Sequence, residues 1–210
     1  CRLIAATVAA VSVPVTLKTR LGWDHASLNA AELARRAEQL GIAMITLHAR
    51  TRQQFYKGKA DWRLARTARE ATSLPMLING DIDGHASARA ALAASGADGV
   101  MIGRAAMGRP WLCGEVAARL AGSLWTEPSA TDKAAAALAH YDWLLTAMGR
   151  DKGLRHARKH VAAYLDEAKR GGGGLEGREV AHLLTSEQPN EVIHGLERAF
   201  LATDAGRAVA

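Results

Sequence analysis

"TLKTRLGWD", residues 16–24, follows an apolar run with charged and polar side chains, then a glycine and a tryptophan. The run that leads into it, VPVTL at 13–17, has the uncharged, β-branched composition of a buried strand. A lysine at the end of such a strand is costly unless an anion or a hydrogen-bonding group meets it. Whether Lys18, Thr19 and Arg20 are an accident of one strand or part of a pattern depends on how the other strands end.

Three further runs, at 43–47, 75–78 and 99–102, are short and apolar almost throughout, as strands covered on both faces are. Helical patterns separate them. "NAAELARRAEQLG" starts at Asn29, has Glu32 at capping-box spacing and stops at Gly41. "HASARAALAASG" stops in the same way at Gly96. Strand starts at 13, 43, 75 and 99 recur at intervals of 30, 32 and 24 residues, so the sequence predicts repeated βα units and a parallel sheet. Val13, Val15, Leu47, Leu77 and Val100 are its expected inward side chains.

The four strands end in Lys18-Thr19-Arg20, His48-Ala49-Arg50, Asn79-Gly80-Asp81 and Gly103-Arg104. Parallel α/β folds build their sites at this end of the strands. The groups suit an anion. Gly80 and Gly103 let backbone approach a ligand, following N–H groups open the next helices, and Arg104 offers a bidentate partner. A phosphate after the last two strands would leave Lys18 and His48 facing the other end of the ligand. Asp81 reads equally as an N-cap, and the two roles are compatible.

Near residue 122 the character changes. "AGSLWTEPSATD" reads as a linker, and only helices are expected after it, at about 131–148, 152–169 and 188–202, with "RGGGGLEG" as a flexible loop between the last two. The chain thus divides into a βα-repeat part, 1–122, and an all-helical part, 123–210. Its 210 residues are 49% apolar, which excludes a disordered chain. The net charge of +6 and pI near 9.7 favour a phosphate-bearing partner. Two cysteines, Cys1 and Cys113, give no disulfide framework, and a reducing, cytoplasmic setting is expected. No run reaches the ~18 apolar residues of a membrane span. His140, His182 and His194 lack metal-ligand spacing, no metal site is read, and no stable protein partner is evident.

"VPVTLKTRLGWD", "LHARTRQQFYKGKADW", "LINGDI" and "GADGVMIGRAAMGRPWL", in this order, resemble the C-terminal half of the bacterial tRNA-dihydrouridine synthases, closest to the B-type enzymes. "KGLRHARKHVAAYL" resembles the start of that family's helical domain, and after Lys169 the likeness fades into what looks like an insertion. The resemblance implies a TIM (β/α)8 barrel, here about its last four βα units, followed by a helical tRNA-binding domain. It implies an FMN enzyme that reduces the C5–C6 bond of tRNA uridines, with NADPH reducing the flavin. Lys18 would then sit by the flavin ring at its N1/O2 edge, with His48 near the cofactor. Asn79, Gly80 and Asp81 would hold the ribityl-phosphate portion, and Gly103 and Arg104 would close on the phosphate.

The family's first four βα units, and the "GCP" motif whose cysteine protonates the uracil, have no counterpart in these residues. The proton-donor cysteine is expected upstream of Cys1, and the opening LIAATVAAV without an initiating Met is read as a chain that starts inside a longer protein. Cys113 is assigned to packing. The basic loop holding Arg50, Arg52, Lys57 and Lys59 among Phe55 and Tyr56 reads either as a solvated loop or as an RNA contact, and the second is preferred. On the helical side, Lys152, Arg155 and Lys159 share one face with Arg158 beside them, a solvated stripe or a phosphate-tracking one. Two other functions stay open at this point: a dihydroorotate-dehydrogenase-like flavoprotein, and a non-catalytic RNA-binding fragment.

Overall fold

The structure, a computed structural model, describes residues 1–207. Its residues cluster into two units, Cys1–Ala105 with Arg119–Gly122, and Ala106–Ala118 with Ser123–Ala210. In chain order the elements are α1 (Arg2–Ala10), β1 (Thr16–Arg20), α2 (Ala30–Gln39), β2 (Met44–His48), a 3-10 turn (Trp62–Ala65) running into α3 (Arg66–Glu70), β3 (Met76–Asn79), α4 (His85–Ser95) and β4 (Gly99–Met101). A second 3-10 turn (Arg104–Ala106) precedes α5 (Leu112–Leu120), α6 (Ala130–Met148), α7 (Arg150–Arg170), α8 (Gly177–Thr185) and α9 (Pro189–Arg207). No helix among the described residues is long and apolar enough to cross a membrane.

The four strands form one parallel sheet in the order β1-β2-β3-β4, the α/β architecture of a partial barrel. Register fixes the two faces, because paired residues share a face and neighbours along a strand alternate. Lys18 pairs with Thr46, Arg20 with His48, His48 with Asn79, and Asn79 with Met101, so these groups share one face. Ile45, Leu47, Met76 and Ile78 occupy the other, all essentially buried, with α2 and α4 packed alongside through Ala34, Ala37, Ala88 and Ala91.

Several expectations shift. β1 begins at Thr16 and not at Val13, because Pro14 has no N–H to give the ladder; Val13 is 65% exposed. Lys18, Thr19 and Arg20 are therefore the strand's own last residues, paired with β2. Of the expected inward apolar set only Leu77 shares the Lys18 face, since register puts Leu47 and Val100 on the opposite side. Asn29 sits at the N-cap of α2 without a side-chain capping bond, and Glu32 pairs instead with Arg36 one turn on. Cys113 is exposed on α5, where Leu112 and Val116 do the packing.

The second unit is a helical assembly with its own core, built from Ala137, Tyr141 and Leu144 of α6, Leu154, Ala157 and Val161 of α7, Leu183 of α8, and Val192, Leu196 and Phe200 of α9. Residues 106–118 cluster with these helices although they precede residue 122. Gly108 explains part of this, because its Cα lies so close to the Ala163 carbonyl that a Cβ would fall 2.3 Å from the oxygen. α8 follows the expected glycine loop as a helix that the sequence reading did not include. Val180, Leu183 and Leu184 recur at three- and four-residue spacing and turn inward, while Gly173 and Gly174 of the preceding run donate to Ala168 and Ala199 carbonyls.

Candidate active site at the strand ends

The polar face of the sheet opens on a hollow of about 980 Å³, lined by Lys18, His48, Asn79, Met101, Gly103 and Arg104 among others. That volume lies at the upper end of the ~300–1,000 Å³ typical of small-molecule sites. β1, β2 and β3 each place a functional side chain in the sheet itself, which fixes Lys18, His48 and Asn79 more rigidly than loops would. Asn79 Nδ2 donates to the Met101 carbonyl at 2.8 Å, tying β3 to β4 just below the Gly103 turn.

Behind this row stands an ion pair with one buried member, Arg50. Arg50 is 3% exposed, and its Nη2 donates to both oxygens of Asp81 at 2.8 Å and to the Gly58 carbonyl at 2.8 Å. Asp81 also accepts from the Ala60 N–H at 2.7 Å. Burial alone would raise the Asp81 pKa, but the Ala60 N–H and the Arg50 guanidinium outweigh it and hold the carboxyl below its usual range. Arg50 thus lies inside the site and not on the outer surface that an RNA contact requires. Asp81 is bound to this pair too, and the N-cap position of α4 belongs to Gly84.

Gly80 makes the turn possible. Its φ is 113°, and a Cβ there would lie 2.9 Å from both Ala60 Cβ and His48 Cδ2. The Gly80 carbonyl accepts from Trp62 Nε1 at 2.8 Å, which clamps the turn against the 3-10 segment. Asp81 follows at φ 55°, a left-handed conformation that a side chain adopts only when the surroundings hold it there. At Gly103 a Cβ would meet nothing nearer than Asn79 Nδ2 at 4.0 Å, so the space beside this glycine is open. Only a three-residue 3-10 turn follows it, where a full helix N-terminus was expected.

The electrostatics are predominantly positive, with Lys18, Arg20, Arg50, Lys59 and Arg104 in the lining against Asp81 and Asp83. Burial, reinforced by Arg20, Lys18 and Arg50, pushes the His48 pKa down to about 4, so the imidazole is neutral at pH 7. Arg50 Nη1 lies 3.5 Å from His48 Nε2, and since arginine can only donate, the contact favours an unprotonated Nε2. Lys18 is lowered by burial and by Arg20. Arg104 is exposed at the rim, its guanidinium 4.6 Å from the Tyr56 ring centroid. Phosphate or another delocalised anion is what this set can hold.

All seven expected cofactor residues, Lys18, His48, Asn79, Gly80, Asp81, Gly103 and Arg104, line the hollow. Tyr56 and Lys59 of the basic loop line it as well, as do Trp62 and Met101, which were not anticipated there. Trp62 ends the quoted stretch "LHARTRQQFYKGKADW", and its position directly after Asp61 at a turn was the available signal. Arg52 is exposed outside the hollow. In the helical unit Lys152, Arg155, Arg158 and Lys159 are all exposed, opposite the buried Leu154, Ala157 and Val161 of α7. Neither Cys1 nor Cys113 lines the hollow.

A family model described as "Dihydrouridine synthase (Dus)" matches residues 1–184. A Rhizobium leguminosarum protein named "Probable tRNA-dihydrouridine synthase" is 48% identical over 204 residues, 97% of this chain and 61% of the relative. One of the same name from Rhodobacter capsulatus is 52% identical over 168 residues, covering 80% of this chain and 52% of its own length. The Xanthomonas campestris protein named "tRNA-dihydrouridine synthase B" is 44% identical over 164 residues, 78% of this chain and 49% of the relative. The chain spans roughly half to three-fifths of the length of these relatives. With a match over most of its length and this site geometry, the chain belongs to the dihydrouridine synthase family.

Proposed function

We propose that this chain is the C-terminal portion of an FMN-dependent enzyme that reduces uridines of tRNA to 5,6-dihydrouridine with NADPH. The observation that carries the reading is the convergence of Lys18, His48 and Asn79 on one sheet face, with Gly103 and Arg104 at its rim. The residues fit FMN: open space beside Gly103 and the exposed Arg104 suit its phosphate, and a wide cationic hollow suits its ring. Bound FMN would supply hydride chemistry. Cys1–Ala105 with Arg119–Gly122 are then the barrel portion that holds it, and the unit of Ala106–Ala118 with Ser123–Ala210 the helical portion that meets tRNA.

Within that reading each residue has a stated task. Lys18 would hold the cofactor from β1 by supplying positive charge to its anionic part. His48, neutral, orients by hydrogen bonding without competing for that charge. Arg50 holds Asp81, and Asp81 holds the Ala60 segment and the turn behind Gly80, so the pair keeps the floor of the hollow rigid. Asn79 fixes β4 through Met101 and with it the Gly103 turn. The cysteine that the family resemblance assigns as proton donor for C5 has no counterpart in the hollow, since neither Cys1 nor Cys113 lines it. The 210-residue chain alone therefore binds FMN weakly and forms no dihydrouridine.

The test is a flavin-fluorescence titration of FMN into the chain. Saturable quenching is expected, weakened about tenfold or more in Lys18→Ala, the size of a lost charge-assisted hydrogen bond at roughly 1.5–3 kcal/mol. FMN fluorescence that never saturates would overturn the reading.

A further inference from the structure

The loop that lines one wall of the hollow carries a second feature on its outer side. Trp23, Phe55 and Tyr56 are 60%, 52% and 59% exposed, which is unusual for three large aromatics grouped together. Arginines lie against each of them. Arg52 sits 4.2 Å from the Phe55 ring centroid and 6.0 Å from that of Trp23. Tyr56 has Arg104 at 4.6 Å and Arg20 at 5.8 Å, and meets Phe55 edge to face at 6.3 Å. The order Trp23, Arg52, Phe55, Tyr56, Arg104 is a continuous ladder from the outer surface to the rim of the hollow.

The ladder is held in place. Arg52 N–H donates to the Gly22 carbonyl at 2.8 Å and Gln53 N–H to the Trp23 carbonyl at 2.9 Å, joining the two loops. From beneath, Arg20 Nη1 donates to the Thr51 and Phe55 carbonyls at 2.9 Å each. Phe55 is kept at φ 52°, a conformation its side chain resists. Asp24, beside Trp23, spends its carboxylate on the N–H groups of Ala26 and Ser27. Arg52, Lys57 and Lys59 are exposed and form no ion pair among the described residues.

Exposed π-faces alternating with unneutralised guanidinium groups, on backbone that does not yield, match what unpaired nucleobases require. Bases splayed from a strand stack on aromatic rings and arginine planes, and the phosphates between them seek the cations. A base in duplex has its faces covered and cannot use such a surface. An acidic peptide would use the cations but not three flat apolar faces.

We propose that Trp23, Arg52, Phe55 and Tyr56 form a stacking track for the unpaired nucleotides flanking the one that enters the hollow. This rests on the RNA reading above and adds to it the form of the RNA, a locally single-stranded segment, and the residues that select it. The probe is a fluorescein-labelled oligouridylate, compared with a blunt RNA duplex, with binding to the full 210-residue chain followed by anisotropy. The variant Trp23→Ala/Phe55→Ala should weaken oligouridylate binding by about tenfold or more, since stacking is worth ~1–3 kcal/mol per base. Its salt slope and its FMN titration should not change, because neither residue is charged and neither lines the hollow. Trp23→Tyr/Phe55→Tyr, which keeps the rings, should restore binding and controls for folding. Equal affinity of the alanine variant and the parent for oligouridylate, or an equal loss for duplex, would overturn the track and leave the flavin reading standing. Absence of any oligouridylate binding by the parent chain would overturn the track together with RNA recognition by this loop. Preferential binding of a polyglutamate peptide to the same residues would overturn it in favour of a protein partner.

Discussion

Each unit contains one basic stretch with a similar surplus of positive charge, and the two stretches use it in opposite ways. Residues 48–70 hold seven Lys/Arg against two Asp/Glu, and residues 149–170 hold seven against three. In the strand unit nearly every guanidinium has a fixed task. Arg50 grips Asp81, Arg66 donates to the Ala93 and Ala94 carbonyls, Arg69 to Thr72, and Arg52 lies against Phe55. In the helical unit Lys152, Arg155, Arg158 and Lys159 stand exposed on one face of α7. A fixed guanidinium gives direction and specificity, whereas an exposed stripe gives a field that any phosphate backbone satisfies.

The comparison breaks most visibly at Arg50. Arg50→Met removes the buried partner of the pair and leaves the exposed Asp81 carboxylate without its counter-ion. A stability loss of about 1.5–3 kcal/mol is expected from urea unfolding, the size of lost hydrogen bonds to a charged group. Arg158→Met on the solvated stripe should change stability by under ~0.5 kcal/mol. Equal effects would show that the two sets of cations do not differ in kind.

On the helical side the expected change is in salt dependence. Arg155→Ala/Lys159→Ala should weaken tRNA binding and lower the slope of log K against log salt by roughly 1.8, at ~0.9 per phosphate contact. FMN binding should be unaffected. An unchanged slope would return the stripe to a solvated surface.

A further expected effect is in pH dependence. Unfolded, His48 would titrate near its ordinary 6.5, while folded it titrates at about 4. Between those values the unfolded chain binds a proton that the folded chain refuses, so stability falls as pH falls through this window. Burial lowers His140 and His160 in the helical unit as well, adding contributions of the same sign. His48→Asn should therefore flatten the decline between pH 6.5 and 4 without abolishing it. Parallel stability curves for variant and parent would contradict the buried, neutral His48.

The parallel sheet was legible because its evidence is local: four apolar runs, each followed by polar residues and separated by helices with glycine stops. The strand-end residues that line the hollow, Lys18, His48 and Asn79 with the glycine turns after them, were legible for the same reason, since a polar residue closing an apolar run stands out. What stayed hidden depends on partners far apart in the chain. Arg50 reads as one more basic loop residue until Asp81, 31 positions on, is seen against it. Pro14 could have moved the start of β1, because a residue without an N–H opens a strand poorly. α8 was masked by the glycines before it, although Val180, Leu183 and Leu184 carried a helical period. Trp23 gave no sign of belonging with Phe55, because only the backbone bonds from Arg52 and Gln53 bring the two loops together.

The central claim, that the strand ends hold the phosphate of FMN through the Gly103 turn and Arg104, is tested most directly by comparing FMN with riboflavin. The two differ only in the phosphate, so their affinities for this chain isolate that contact. FMN should bind at least about tenfold more tightly, and Arg104→Ala should remove most of the difference, a loss of roughly 1.5–3 kcal/mol for FMN alone. Equal affinities for FMN and riboflavin in the parent chain, or a difference that survives Arg104→Ala intact, would contradict the account.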